Sequence, residues 1–307
     1  MGPPSGTRKI HLITNVKAGR GFGKDLTEAA ARLCYDHGVD FYNYEIKEGL
    51  DVETQTSQAL SAAQKDGGII AVAGGDGTLR YVTQKVQALG LVFAVIPCGT
   101  FNFFARAHQI PEDPLEALKL AITGTPRPVR LGEINGEVFL VNASLGLYAK
   151  AIRERERRTS RWGRKRVVVI FSTLLSLLSG HWLLQMEITT HSQLERLETP
   201  LIFIGNNPLQ LRSLSSTAAQ CLDQDLLAVM ALRPLTKWKT LKLIFQGLRG
   251  HLQEAREVRT FCISSMLIKT RGATLTVAMD GEMFKMTSPL QVRTRPGALN
   301  LIRPSVA

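Results

Sequence analysis

Two hydrophobic periodicities alternate along the first part of the chain. Residues 9–14 (KIHLIT) alternate polar and apolar, the two-residue period of a strand. Residues 26–37 are Ala-rich with helical spacing, 41–46 are aromatic and β-branched, and 52–65 are helical again, stopped by Asp66-Gly67-Gly68. A short apolar strand follows at 69–72, then a helix at 79–89 and a strand at 91–96. This βαβα order predicts a parallel sheet with helices on both faces. Ligands of such sheets sit beyond the carboxyl ends of the strands. Three of those ends carry unusual residues: 15–23, 74–78 and 97–105.

The rhythm changes after about Thr125. Pro126-Arg127-Pro128 reads as a crossing segment. Strand-like stretches then dominate, at 138–144, 184–190, 201–205, 226–232, 258–269, 273–279 and 290–295, with helical insertions near 149–179 and 236–252. The expectation is an α/β domain over residues 1–126 and a mainly antiparallel second domain over 127–289.

Composition narrows the class. Of 307 residues 44% are hydrophobic and 21% charged, as in a globular protein with a core. The net charge of +12 favours an acidic partner, whether nucleic acid, anionic membrane or a phosphorylated ligand. Nucleic acid is disfavoured because no recognised binding motif accompanies the charge. Cys34, Cys98, Cys221 and Cys262 are scattered, without a CxxC pair or a His/Cys cluster. They read as reduced thiols of a cytosolic protein. The N-terminal residues lack the apolar core of a secretory signal. Residues 167–184 approach the length of a membrane span but carry Ser172, Thr173, Ser176, Ser179, Gly180 and His181, and read as a packed or membrane-grazing helix.

The glycine loops hold the candidate chemistry. Gly74-Gly75-Asp76-Gly77-Thr78 follows an apolar strand and opens a helix. Glycines there let a ligand approach backbone N–H groups, and successive N–H groups at a helix start attract anions. Asp76 could hold Mg²⁺ against phosphates or accept a proton from a hydroxyl. Taken alone, the stretch is equally a tight turn with a capping residue. Residues 18–25 (AGRGFGKD) imitate a Walker A loop, but Ala18 and Asp25 break it, and Lys24 breaks GxGxxG. What remains is a polar loop with Arg20 and Lys24 available to phosphate. The third loop, 97–105, offers Thr100, Asn102 and Arg106. Met279-Asp280-Gly281-Glu282 alone is an ordinary hairpin turn.

Together, Asn15 to Gly21 (NVKAGRG), Gly74 to Thr78, Gly99-Thr100 with Asn102 and Ala105-Arg106, Asn142 to Gly146, and Asp280-Gly281-Glu282 resemble the diacylglycerol kinase catalytic family, which includes bacterial lipid kinases and sphingosine kinases. The resemblance implies an α/β nucleotide-binding domain of the NAD kinase/phosphofructokinase type and a β-sandwich second domain, with residues 290–307 returning to the first. It implies ATP on the glycine loops, contacted by Asn15, Gly19, Arg20, Gly74, Gly75, Asp76, Gly77, Thr78, Leu79, Gly99, Thr100 and Asn102. It implies Mg²⁺ at Asp76 and a lipid hydroxyl as acceptor. Glu282 matches the family's proton acceptor, and Asp76 matches an acid assigned to Mg·ATP or to catalysis; the preferred roles are Glu282 as base and Asp76 as metal organiser.

Several positions depart from the family. Phe103 stands where an Asp often follows the Asn of the third loop, Leu79-Arg80-Tyr81 replaces Leu-Asn-Glu, and Arg130 stands where an Asp is common. Relatives read Asp-Asp-Gly-Leu-Leu-Asp where this chain has Asp223-Gln224-Asp225-Leu226-Leu227-Ala228, so a second, structural Mg²⁺ on Asp223 and Gln224 is in doubt.

Two stretches mix cations with bulky apolar groups: residues 153–166 (RERERRTSRWGRKR, from Arg153 to Arg166) and 237–245 (KWKTLKLIF, from Lys237 to Phe245). They suit an anionic membrane surface, or equally a solvated helix face over a core. The resulting expectation is an ATP- and Mg²⁺-dependent lipid kinase, cytoplasmic and peripheral at the inner membrane face, with a homodimer open. A kinase of a soluble hydroxyl substrate such as NAD, or a nucleotide- or lipid-binding protein without catalysis, stands as the alternative.

Overall fold

The structure is a computed structural model that describes residues 8–15, 24–47, 51–146, 183–190, 194–212, 216–234 and 258–305. The chain divides into two compact units, residues 1–131 with 296–307 and residues 132–295. The sequence reading had put the boundaries at 126/127 and 289/290. Strands β5 (Thr125–Ile134) and β16 (Leu290–Arg303) contribute residues to both units.

The first unit has the expected alternation: β1 (Lys9–Asn15), α1 (Lys24–Asp36), β2 (Asp40–Ile46), α2 (Asp51–Asp66), β3 (Ile69–Gly74), α3 (Asp76–Leu89) and β4 (Val92–Pro97). Its parallel strands run in the order β2-β1-β3-β4. β3 is buried along its whole length, which is why IIAVAG reads as a continuous apolar run rather than an alternation. The register pairs Thr14 with Ala73 and Gly74 with Pro97, so the ends of β1, β3 and β4 come level. Near the C-terminus, Asn300 and Leu301 of β16 pair parallel with Val92 and Phe93.

Two further helices complete this unit, the short α4 (Phe103–Ala107) and α5 (Pro114–Thr123). Helix α5 starts with Asp113 accepting from the amides of Leu115 and Glu116, both at 3.0 Å, with Pro114 in its first turn. Arg8 closes its other end. Its guanidinium donates to the carbonyls of Ile122 and, at 3.1 Å, Gly124, where a cation meets the orphan carbonyls and the negative helix end.

The second unit is a two-layer antiparallel sandwich. One layer orders β12 (Val258–Ile263), β11 (Leu227–Leu232), β10 (Leu201–Gly205), β7 (Asn142–Gly146), β14 (Thr274–Met279) and β15 (Glu282–Thr287). The other contains β13 (Ser265–Thr270) between β16 and β8 (Leu184–Thr189), with β9 (Leu194–Thr199) beyond; β6 (Glu137–Phe139) pairs with β5. Alternate residues of both layers fill the core between them: Leu145, Ile202, Val229 and Val277 from one, Met186, Ile188, Met266, Ile268 and Val292 from the other. Helices α6 (Pro208–Arg212) and α7 (Ser216–Asp223) carry a smaller cluster of Leu211, Ala218, Cys221 and Leu222 onto Ala228.

One sequence expectation is corrected here. Cys221 and Cys262 are not separate thiols; they form a disulfide, with Cα atoms 5.3 Å apart. Their separation of 41 residues hides the pair from any local spacing rule, and only the packing of α7 beside β12 brings them together. Cys34 and Cys98 are free and buried.

Residues 167–182, most of the apolar stretch, and both basic–apolar stretches, 153–166 and 237–245, lie outside the described residues, as do the helical insertions expected near 149–179 and 236–252. Among the described residues, no helix is long and apolar enough to cross a membrane.

Candidate functional site

The level strand ends of the first unit gather the sequence-predicted loops. After β3, the chain turns through Gly75 straight into α3, whose first residue is Asp76. After β4, the chain runs through Cys98, Gly99 and Thr100 to Asn102 and into α4. The amide of Cys98 donates to the carbonyl of Gly74 at 3.1 Å, extending the β3–β4 pairing into the loops. Gly99 and Gly75 then pass so closely that a Cβ on Gly99 would lie 2.8 Å from the Cα of Gly75. Gly99 is therefore required by the approach of one loop to the other, whereas a Cβ on Gly75 would meet Gly99 only at an ordinary 3.6 Å.

Side chains lock the arrangement. Asn102 adopts a left-handed conformation, φ 49° and ψ 40°, and its Oδ1 accepts from the amide of Gly99 at 2.9 Å. Asn, with its short polar side chain, tolerates that region better than most residues. Asn15, at the end of β1, donates from Nδ2 to Thr78 Oγ1 at 3.0 Å, so the first and second loops are tied as well. Asn15, Gly75, Asp76, Thr78, Gly99 and Asn102 thus form one connected group.

Asp76 is its electrostatic centre. Burial pushes its carboxyl pKa above the ordinary range, while the amides of Phe104 and Phe103, at the start of α4, hold it back by donating to the carboxylate. Its Oδ1 is buried without a hydrogen-bond partner. An orphaned carboxylate oxygen is costly in a folded protein, on the order of 1–3 kcal/mol, and suits a divalent cation. Mg²⁺ typically takes one or two carboxylates and completes its shell with phosphate oxygens and water. Asp76 fits that role with phosphates as the remaining ligands. Among the described residues, no group of three or more His, Cys, Asp or Glu side chains could hold a metal by itself.

The other expected residues fall in several places. Leu79, expected at the nucleotide, is fully buried, and its amide donates to the carbonyl of Gly75 at 3.0 Å. It is a core residue of α3, with its backbone donor already engaged. Gly74 is buried, and a Cβ there would meet Thr78 Cβ at 3.0 Å. Thr100 is exposed on the third loop. Gly19 and Arg20 lie outside the described residues. Phe103 does lack the carboxylate its position often carries, but its amide is what serves Asp76.

Glu282 belongs to the second unit, where it is exposed at the start of β15 and pairs with Met279 across the hairpin. The neighbouring Asp280 has a role that sequence reasoning missed. At φ 49° it turns the hairpin, and its carboxylate accepts from three consecutive amides: Leu140 at 2.7 Å, Val141 at 2.8 Å and Asn142 at 3.1 Å. Asn206 reinforces the same segment, donating from Nδ2 to the carbonyl of Leu140 at 3.1 Å, and Asn142 donates to Gln210 Oε1 at 2.9 Å. Asp280 pins the turn that presents Glu282. The sequence signal was available in the Asp-Gly pair, whose first residue commonly adopts positive φ in a hairpin.

Asp223 at the end of α7 and Gln224 and Asp225 on the turn after it are exposed, with Asp225 at φ 58° and its carbonyl accepting from Thr294 Oγ1 at 3.2 Å. No cluster of described metal-ligating side chains forms around Asp223 and Gln224.

Residues 9–134 match the diacylglycerol kinase catalytic domain. Over 144 residues the chain is 36% identical to "Probable lipid kinase YegS-like" of Pseudomonas aeruginosa, covering 46% of this chain and 45% of that protein. Over 88 residues it is 42% identical to the diacylglycerol kinase of Bacillus subtilis, covering 28% of this chain and 29% of that one. The matched part spans less than half the length of these relatives. A crystal structure of a diacylglycerol kinase from Bacillus anthracis aligns over 97% of both chains with a TM-score of 0.67 at 22% identity, a likeness of fold.

Proposed function

We propose that this chain, whose residues 9–134 match the diacylglycerol kinase catalytic domain, transfers the γ-phosphate of ATP to a lipid hydroxyl, with a diacylglycerol-like acceptor first in order. The observation that carries the reading is the joined pair of glycine loops around Asp76, whose buried Oδ1 has no hydrogen-bond partner. Backbone amides at the start of α3 offer donors to phosphate oxygens, since the first amides of a helix have no partner within it. Asn15 and Asn102 hold the loops in place before the ligand arrives. Mg²⁺ on Asp76, when bound, supplies neutralisation of phosphate charge.

Phosphoryl transfer needs little beyond positioning, charge neutralisation and an acceptor for the hydroxyl proton. Glu282 takes that proton in this reading, as an exposed carboxylate on a hairpin fixed by Asp280. The basic–apolar stretches at 153–166 and 237–245 bring the protein to an anionic membrane surface from the cytoplasmic side.

The test is transfer of labelled γ-phosphate to diacylglycerol, sphingoid bases, ceramide and phosphatidylglycerol in mixed micelles, with NAD as a soluble acceptor. The reading expects a phospholipid product that depends on Mg²⁺ and is lost in Glu282→Gln and Asp76→Asn. Turnover on NAD alone would make this a soluble-substrate kinase. Nucleotide binding without transfer to any acceptor would make it a binding protein.

A further inference from the structure

The Cys221–Cys262 disulfide joins helix α7 to β12, the outermost strand of its sheet. Its two residues differ in exposure. Cys221 is fully buried in the small cluster formed with Leu211, Ala218 and Leu222, whereas Cys262 is exposed. The bond also borders a cavity of about 340 Å³ lined by Cys262, Phe261 and Ile263 of β12, by Ile188 and Ser265, and by Leu226. Leu226 follows the turn that ends α7, and its amide donates to the carbonyl of Cys221 at 3.0 Å. Both halves of the disulfide therefore reach the cavity wall: Cys262 lines it directly, and Cys221 holds Leu226.

We infer that this disulfide is a thiol-exchange site, and that opening it releases α7 from β12 and loosens the cavity wall. The thiolate of a low-molecular-weight monothiol attacks the Sγ of Cys262, the exposed residue of the pair. The Cys221–Cys262 bond breaks, a mixed disulfide forms on Cys262, and Cys221 leaves as a thiolate that takes a proton from water. A second monothiol thiolate displaces Cys262, giving the oxidised small-molecule disulfide and a free Cys262 thiol. Two thiols are oxidised and one protein disulfide is reduced. Attack on Cys221 is closed by burial, which fixes the order of events.

The surroundings suit both states. The liberated Cys221 thiol has an acceptor in reach, since its Sγ lies 3.6 Å from the carbonyl oxygen of Thr217. The remaining cysteines do not compete: burial pushes the Cys34 and Cys98 thiols up to about 11, leaving little thiolate at neutral pH. The inference is independent of the kinase reading and is tested without an activity assay.

Folded protein is equilibrated in glutathione buffers from oxidising to reducing, acid-quenched, unfolded and alkylated for mass spectrometry. Two alkylated cysteines are expected at the oxidising end and four at the reducing end, and glutathione adducts at intermediate poise should fall on Cys262 rather than Cys221. Reduction should lower the thermal midpoint by about 5 °C or more and speed amide exchange at Leu226 at least tenfold. The double variant Cys221→Ser/Cys262→Ser should have a midpoint that ignores the buffer. Four alkylated cysteines in every buffer would overturn the proposal, as would a midpoint or a Leu226 exchange rate unmoved by reduction.

Discussion

Asp76 opens one helix and binds the start of another: its carboxylate receives the amide of Phe104, from the first turn of α4. The bond crosses between two loops that follow different strands. It leaves Oδ1 buried and unpartnered, so the carboxylate is held in position but not satisfied. A group in that condition weakens the empty protein and favours whatever cation completes it.

Replacing Asp76 by Asn should therefore separate stability from function. Burial raises the folded pKa of this carboxyl, so between the unfolded and folded values the native state binds more protons than the unfolded one. The contribution of Asp76 to stability falls as pH rises through that window and stays unfavourable above it. The variant should melt a few degrees higher, roughly 2–4 °C per kcal/mol recovered, in calorimetry at pH 7 without ligand. The gain should shrink towards pH 4, and Mg²⁺-dependent nucleotide binding should be lost. A variant that melts lower at pH 7 would show that Asp76 is not electrostatically strained.

Gly99→Ala tests the contact between loops. The new Cβ would sit 2.8 Å from the Cα of Gly75 and 2.8 Å from Asn102 Oδ1. Backbone cannot yield as a flexible side chain does, so the loops must part. Nucleotide affinity in titration calorimetry should fall about tenfold or more, which is roughly 1.4 kcal/mol. The circular dichroism spectrum should stay native.

Asp280→Ala should be among the most damaging single changes in the second unit. It leaves the amides of Leu140, Val141 and Asn142 without the acceptor they share. A loss of about 3 kcal/mol in urea unfolding is expected, with faster hydrogen exchange at these three amides. Asp280→Asn retains one acceptor oxygen and should lose less.

The opposite sign of pH dependence belongs to Asp66. Burial acts to raise its pKa, but hydrogen bonds from His11 and the Gly68 amide, the charge on His11 and the charge of Lys9 outweigh it and hold the group below its ordinary value of 3.8. Its stabilisation is present above the unfolded value and is lost as pH falls through the folded one. Asp66→Asn should cost about 1 kcal/mol at pH 7, a modest figure because the carboxylate is partly in water, and the difference should begin to shrink below about pH 4. Chemical unfolding of both proteins at pH 7 and at pH 3 measures the change.

Much of the first unit was legible because each element carries its own periodicity: KIHLIT, IIAVAG and the helix after Asp76 declare themselves locally. In the second unit the local signals mislead. Residues 258–269 read as one strand, yet the chain leaves one layer at Ile263 and enters the other at Ser265. Residues 138–144 also read as one strand, but the amides of Leu140 and Val141 turn to Asp280 instead of a ladder. Pro126 and Pro128, read as a crossing segment, lie exposed in β5, which contributes residues to both units and where a missing donor does little harm. That glycine loops follow β3 and β4 was readable from residue type alone. The burial of the Leu79 side chain was not, because a motif position says nothing about which way its side chain faces. Cys221 with Cys262, and Asp280 with Val141, are pairings that only tertiary structure creates.

The level ends of β3 and β4 have one more consequence. Gly75 meets Gly99 only when Gly74 pairs with Pro97. A slip of one residue would carry the loops apart and turn every side chain of the moved strand to the opposite face. The joined loops therefore exist in the assembled sheet and in no partly ordered chain. An occupant at one hundred times its dissociation constant adds about 2.7 kcal/mol to the folded state by mass action. Ligand abundance in the cell would then govern how long each molecule escapes unfolding and proteolysis, apart from any turnover it supports.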